Sequence, residues 1–113
     1  MARHDCCGAM GDMPAEWRLA GGAARSRALR STLSAAVNAP VRVSSREEAG
    51  AAGAAMMAAV AIGAYKTMDD CISEWVAPLL GATEAPDEVQ AKRYEELFTA
   101  YKDARLALEP IWD

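Results

Sequence analysis

Two short strand-like runs, Glu16–Ala20 (EWRLA) and Pro40–Val43 (PVRV), flank a glycine pair and an amphipathic stretch. This order constrains the fold more than any other feature. Trp17 and Leu19 alternate with polar neighbours, and Val41 and Val43 do the same, which is the period-two pattern of a strand. Between them, Ala28, Leu29, Leu33, Ala36 and Val37 recur at spacings of three and four, so the pattern predicts a helix over 24–37. Arg25, Arg27, Arg30 and Ser34 are expected on its other faces. Asn38 is a suitable stop and Pro40 cannot continue the helix. A strand–helix–strand unit of this kind joins two parallel strands through a right-handed crossover. Parallel strands want helices on both faces, and two strands make a poor sheet alone. The expectation is therefore α/β, one edge of a larger domain, with strands at about 16–20 and 40–44.

The chain beyond the second strand is helical in pattern. Ser45 with Glu48 three residues on fits a capping box that opens a helix over about 47–64. Gly50, Ala51, Gly53, Ala54 and Ala58 make that helix small on nearly every face, open to close approach by another backbone. Each interior glycine costs about 1 kcal/mol against alanine, which suggests a packing or ligand reason. Thr67-Met68-Asp69-Asp70 starts a helix over about 69–80, with Ile72, Trp75, Val76 and Leu79 at helical spacing. Gly81–Pro86 reads as a linker. A last helix over 87–108 carries an apolar stripe of Val89, Tyr94, Leu97, Phe98, Tyr101 and Leu108, and Pro110 ends it. At the other end, Ala2–Met10 reads as the tail of a helix stopped by Gly11.

Composition narrows the function. The 113 residues allow one domain at most. They include 26 alanines and seven aromatic residues, so the 52% hydrophobic content overstates the core. The net charge of −4 argues against a nucleic-acid surface, which wants a basic stripe. No signal sequence is visible, and three cysteines without one suit a reducing cytoplasm. The most apolar stretch, 49–65, falls short of the roughly 20 residues needed to span a bilayer.

Several motifs bear on chemistry. Gly21-Gly22, between a strand and a helix, could let a nucleotide approach the backbone at a helix end. It is neither GxGxxG nor a phosphate-binding loop with Gly-Lys-Ser/Thr, and the pattern alone favours a structural turn. His4-Asp5-Cys6-Cys7 holds metal-ligand types, but no second cluster completes a tetrahedral site. Cys6 and Cys7 are adjacent, so a bridge between them would be strained. Cys71 reads as a small core residue, and Met56, Met57 and Met68 as packing. Arg25, Arg27 and Arg30 could reach a phosphate, though a solvated helix face is the plainer reading.

The segment LAGGAARSRALRSTLSAAVNAPVRVSSREEAGAAGAAMMAAVAIGAY resembles the C-terminal region of the FGGY carbohydrate kinases. That family shows a strand, a Gly-Gly-(Gly/Ala)-Ala turn, a helix and a next strand marked by a hydrophobic residue followed by Pro-Val. A Glu-x-(Gly/Ala)-Ala-x-Gly-Ala-Ala helix and a short Tyr-containing step follow. Each part has a counterpart here, ending at Tyr65. The final helix and ALEPIWD are similar to the family's closing helix and tail, so the likeness runs from about residue 2 to 113. Within the family it is greatest to polyol kinases and to L-xylulose kinase.

The resemblance implies an actin-like, ribonuclease-H-like ATPase domain, of which this chain is a C-terminal piece. It implies a whole enzyme that transfers the γ-phosphate of ATP, with Mg2+, to a hydroxyl of a small polyol or ketose. It places Gly21 and Gly22 in the turn facing adenosine. Ala23 takes the third position, and Ser26 stands where some relatives carry an asparagine near the adenine. The 47–64 helix would pack against this turn, with Glu48 and Gly53 structural. The family's catalytic Asp, phosphate loops and sugar-binding domain lie upstream of the matching region, and Asp5, Asp12, Asp69 and Asp70 match none of them. The chain alone is therefore expected to be inactive, with no catalytic residue and no metal site of its own. A non-enzymatic module that pairs with a partner or a second copy is the alternative.

Overall fold

The computed structural model describes residues 11 and 14–112. Strands β1 (Trp17–Leu19) and β2 (Val41–Val43) lie side by side and parallel, Trp17 opposite Val41 and Leu19 opposite Val43. Helix α1 (Arg27–Val37) connects them, so the expected strand–helix–strand unit is present. Helices α2 (Ala49–Ala61), α3 (Met68–Trp75) and α4 (Glu88–Leu108) follow.

The first helix starts later than its periodicity predicts. Gly22–Arg25 form a separate 3-10 turn, and Ser26 breaks away into extended backbone at φ −78°, ψ 115°. Its buried face is also rotated. Ser34, Ala35 and Val37 are buried, whereas Leu29 is 46% exposed. The pattern puts Ser34 on an outer face, but its hydroxyl donates to the Ala39 carbonyl at 2.9 Å, which satisfies it inside. Packing of α1 against α4 explains the shift, because it draws a second face of the helix inward.

The stretch expected to be a linker is part of the sheet. Glu84 exchanges two backbone hydrogen bonds with Val41, at 2.8 and 2.9 Å, and the Gly81 amide donates to the Val43 carbonyl at 2.8 Å. Residues 80–84 thus run antiparallel along the free edge of β2. This covers backbone groups that would otherwise stand open.

The start of α2 also departs from expectation. Its cap is Glu48, with no side-chain bond, and Ser45 instead bonds the Leu79 carbonyl through both its amide (2.9 Å) and its hydroxyl (3.3 Å). A tertiary acceptor has taken the side chain that local sequence assigned to capping. The real capping box opens α3, where the Thr67 hydroxyl accepts from the Asp70 amide and the Asp70 carboxylate accepts from the Thr67 amide, both at 3.2 Å. α3 ends at Trp75, and Ala77–Leu79 forms a 3-10 turn in place of a continuous helix to residue 80. Pro110 does end α4 as an α-helix, but Glu109–Ile111 continues as a 3-10 turn that tolerates proline in its first positions.

The core is thin. Its buried apolar residues are Ala24, Ala35, Val37, Ala39, Val41, Met56, Cys71 and Ala91. The Cα radius of gyration is 17.5 Å, against about 13 Å for a compact domain of this length. Cys71 is core, as expected, and Met56 is buried while Met57 is exposed. On α4 the predicted stripe is largely uncovered, with Val89, Leu97, Tyr101 and Leu108 all exposed. The glycines of α2 also lack the predicted close neighbour. A Cβ on Gly50 or Gly53 would meet no atom within 4 Å among the described residues.

Candidate functional site

β1 ends at Leu19, and two residues later the chain turns sharply at Gly21. Gly21 has φ 87° and ψ −178°, a backbone state that disfavours any side chain. Its carbonyl accepts from the Ala24 amide at 3.2 Å, and the Ala23 carbonyl accepts from the Ser26 amide at 3.2 Å, which closes the 3-10 turn. Gly22 and Ala23 are exposed, and a Cβ added to Gly22 would meet nothing within 4 Å. Gly21 is thus demanded by the backbone. Gly22 is not, so its missing side chain leaves open space over the turn.

Ser26 caps α1, its hydroxyl oxygen accepting from the Leu29 amide at 3.3 Å. The hydroxyl proton stays available for a further acceptor. The four residues singled out from the sequence, Gly21, Gly22, Ala23 and Ser26, therefore sit on one continuous turn. Leu29 and Leu33, expected in the core, instead join Leu19, Ala20, Ala23, Ala24 and Arg30 around a small pocket of about 80 Å³ beside it.

A larger pocket, about 210 Å³, lies where β1 runs into the turn. Its walls include Arg18, Leu19 and Ala20, then Ser44 and Arg46 after β2, and Ala49, Ala52 and Gly53 on α2. The small residues of α2 line a crevice at the carboxyl ends of the parallel strands, where open α/β sheets place their ligands. The pocket's walls include no residue of the Gly21–Ser26 turn, so on this side the helix faces the strand ends instead of the turn. One exposed ion pair, Arg25 to Glu47 at 3.4 Å, links the turn to the residue before the cap of α2.

Two residues that hold the turn were missed from the sequence. Arg30, read as part of a solvated face, has a side chain only 17% exposed. Its Nη1 donates to the carbonyls of Ala24 (3.0 Å) and Arg25 (3.2 Å), and its Nε meets both carboxylate oxygens of Glu84 at 3.0 Å. Glu84 falls in the expected linker. A usable signal existed for Arg30, which lies four residues after the cap, where a helical side chain leans back toward the N-terminus. None existed for Glu84.

The remaining polar candidates have other roles. Asp70 belongs to the α3 capping box and Asp69 is exposed in the same first turn. His4, Asp5, Cys6, Cys7 and Asp12 lie outside the described residues, as does the predicted 2–10 helix tail. The perturbed titrating groups are near and on α3. Burial raises the Cys71 thiol, with Glu74 adding to it. A hydrogen bond to Glu74 is the main cause that raises Tyr65, whose oxygen also accepts from Trp75 Nε1 at 2.9 Å. Among the described residues no helix is long and apolar enough to cross a membrane.

Residues 5–62, half the chain with the glycine turn inside it, match the family model of the C-terminal domain of FGGY carbohydrate kinases. The chain belongs to the FGGY family of carbohydrate kinases. Over all 113 residues it is 77% identical to the erythritol kinase of Brucella abortus (strain 2308), and it spans 22% of that relative's length. Among solved structures, a ligand-bound xylulose kinase from Lactobacillus acidophilus superposes with a TM-score of 0.74 at 22% identity. That match covers 87% of this chain and 19% of the other. A gluconate kinase from the same organism gives 0.73 at 23% identity, covering 86% and 19%. The α/β arrangement is thus shared with these FGGY kinases and goes with the C-terminal domain that the family model describes.

Proposed function

We propose that this chain forms the adenosine-facing part of the ATP-binding domain of an FGGY kinase that phosphorylates a small polyol, with erythritol the first substrate to test. The observation that carries this reading is the turn: Gly21 at φ 87° and Gly22 with open space above it, ahead of a serine cap. Gly22 and Ala23 let the nucleotide approach the backbone. The Ser26 hydroxyl donates to the adenine edge, while its oxygen stays engaged with Leu29. Leu29, Leu33 and Ala20 supply an apolar wall beside the turn. ATP, accompanied by Mg2+, supplies the transferable γ-phosphate, and the base that takes the hydroxyl proton comes from outside these 113 residues. The setting is the cytoplasm, where ATP is abundant.

ATP titration of the isotope-labelled chain tests the reading. Saturable shifts of the Gly21, Gly22 and Ser26 amides are expected, with none on adding erythritol alone. Amides that stay still at millimolar ATP would sink it. The purified chain is expected to phosphorylate neither erythritol nor xylulose.

A second reading, self-association, is favoured by one observation. Leu97, Tyr101 and Leu108 recur along α4, and with Ile111 and Trp112 they leave an apolar surface exposed. Sedimentation that depends on chain concentration, and that the double variant L97K/Y101K abolishes, is the expected sign of a homodimer.

A further inference from the structure

The 3-10 turn that carries Gly22 and Ala23 ends abruptly. Ser26 adopts extended backbone, so the helix hydrogen-bonding pattern does not continue past Arg25. The last carbonyls of a helical segment then need donors from elsewhere. Arg30 provides them, with one guanidinium nitrogen on both the Ala24 and the Arg25 carbonyl. The same guanidinium is anchored on its other side by the two oxygens of Glu84. Glu84 in turn is fixed by paired backbone bonds to Val41 at the start of β2. A continuous set of hydrogen bonds therefore runs from the sheet to the turn, through the side chains of Glu84 and Arg30.

We infer that Arg30 and Glu84 are positioning residues for nucleotide binding, holding the Gly22–Arg25 turn at a set place relative to the sheet; this rests on the adenosine-facing reading of the turn. The chemistry requires arginine. Its planar fork reaches four acceptors on two elements at once, which the single ammonium of lysine cannot do. Glu84 never meets the ligand in this scheme. It orients Arg30, and Arg30 orients backbone.

Two measurements test this. In the 113-residue chain without nucleotide, E84Q and R30K are expected to lower the 15N backbone order parameters of residues 22–25 from the rigid value of about 0.85 to below about 0.7. Helix α4 should keep its values. An unchanged turn in both variants overturns the proposal whatever the ligand. In the Brucella erythritol kinase carrying this chain in place of its matching segment, both variants should raise the KM for ATP roughly tenfold and leave the KM for erythritol unchanged. The charge-swapped pair R30E/E84R restores the ion pair but not the grip on the two carbonyls, so the high KM for ATP should persist. Rescue by the swap would reduce the pair to a plain salt bridge and overturn the inference. G22V serves as the control for the underlying reading. If G22V leaves the KM for ATP unchanged, the turn does not face the nucleotide, and both readings fall. If G22V raises it while E84Q and R30K do not, only the positioning role falls.

Discussion

Arg30 and Glu84 stand 54 positions apart and meet with the Arg30 Nε 3.0 Å from each carboxylate oxygen. The pair is partly shielded, more on the arginine side than on the glutamate side. Hydrogen bonds to charged groups contribute about 1.5–3 kcal/mol, and solvent at Glu84 places this pair at the low end. E84A is expected to lower the unfolding free energy by about 1–2 kcal/mol. R30A should cost at least as much, since two carbonyls lose their donor as well. The double variant should cost less than the sum, as coupled sites do. Urea denaturation of the four proteins measures all three outcomes.

Gly21 and Gly22 are neighbours with opposite requirements. G21A puts a Cβ at φ 87° and should destabilise by about 1–2 kcal/mol. G22A meets no atom and no positive φ, so its effect on stability should lie within about 0.5 kcal/mol. ATP affinity should rank differently, because a side chain at Gly22 fills the space a ligand would use. Thermal melts paired with ATP titration separate the two roles.

The Cys71 thiol and the Tyr65 hydroxyl both titrate above their ordinary values of 9.0 and 10.0 in the folded chain. Burial is the main cause for the thiol. For the phenol it is the bond to Glu74, which only the protonated form can donate. The unfolded chain therefore releases these protons first as pH rises. Their contribution is fully present below the unfolded values and is lost as pH climbs through the raised ones. The urea midpoint should hold steady from about pH 7 to 8.5 and fall above about 9. C71A should flatten the early part of that fall and Y65F the later part.

Thr67 caps α3 with a reciprocal bond to Asp70. T67A should cost about 1 kcal/mol. S45A should cost less, because Ser45 caps nothing and its backbone amide keeps the 2.9 Å bond to Leu79. Equal losses from the two variants in chemical denaturation would contradict this assignment.

Local sequence was not enough for which face of α1 or α4 is buried, but it was enough for the order of elements, the parallel pair β1–β2, the presence of α1 and α4, the stop at Asn38 and the glycine turn. All of these are written in short-range patterns: alternation for strands, spacings of three and four for helices, glycine where φ is positive. Tertiary structure decided what such patterns cannot carry. Ser45 left its capping role because the Leu79 carbonyl came within reach. Ser34 went inside because α1 packs against α4, and the Ala39 carbonyl five residues on accepts its proton there. Residues 80–84 came to lie along β2 because it offered unpaired backbone groups. Arg30 and Glu84 are each ordinary in their own segment. Only chain folding brings them together, since a contact across 54 positions depends on where the elements pack and leaves no trace in local periodicity.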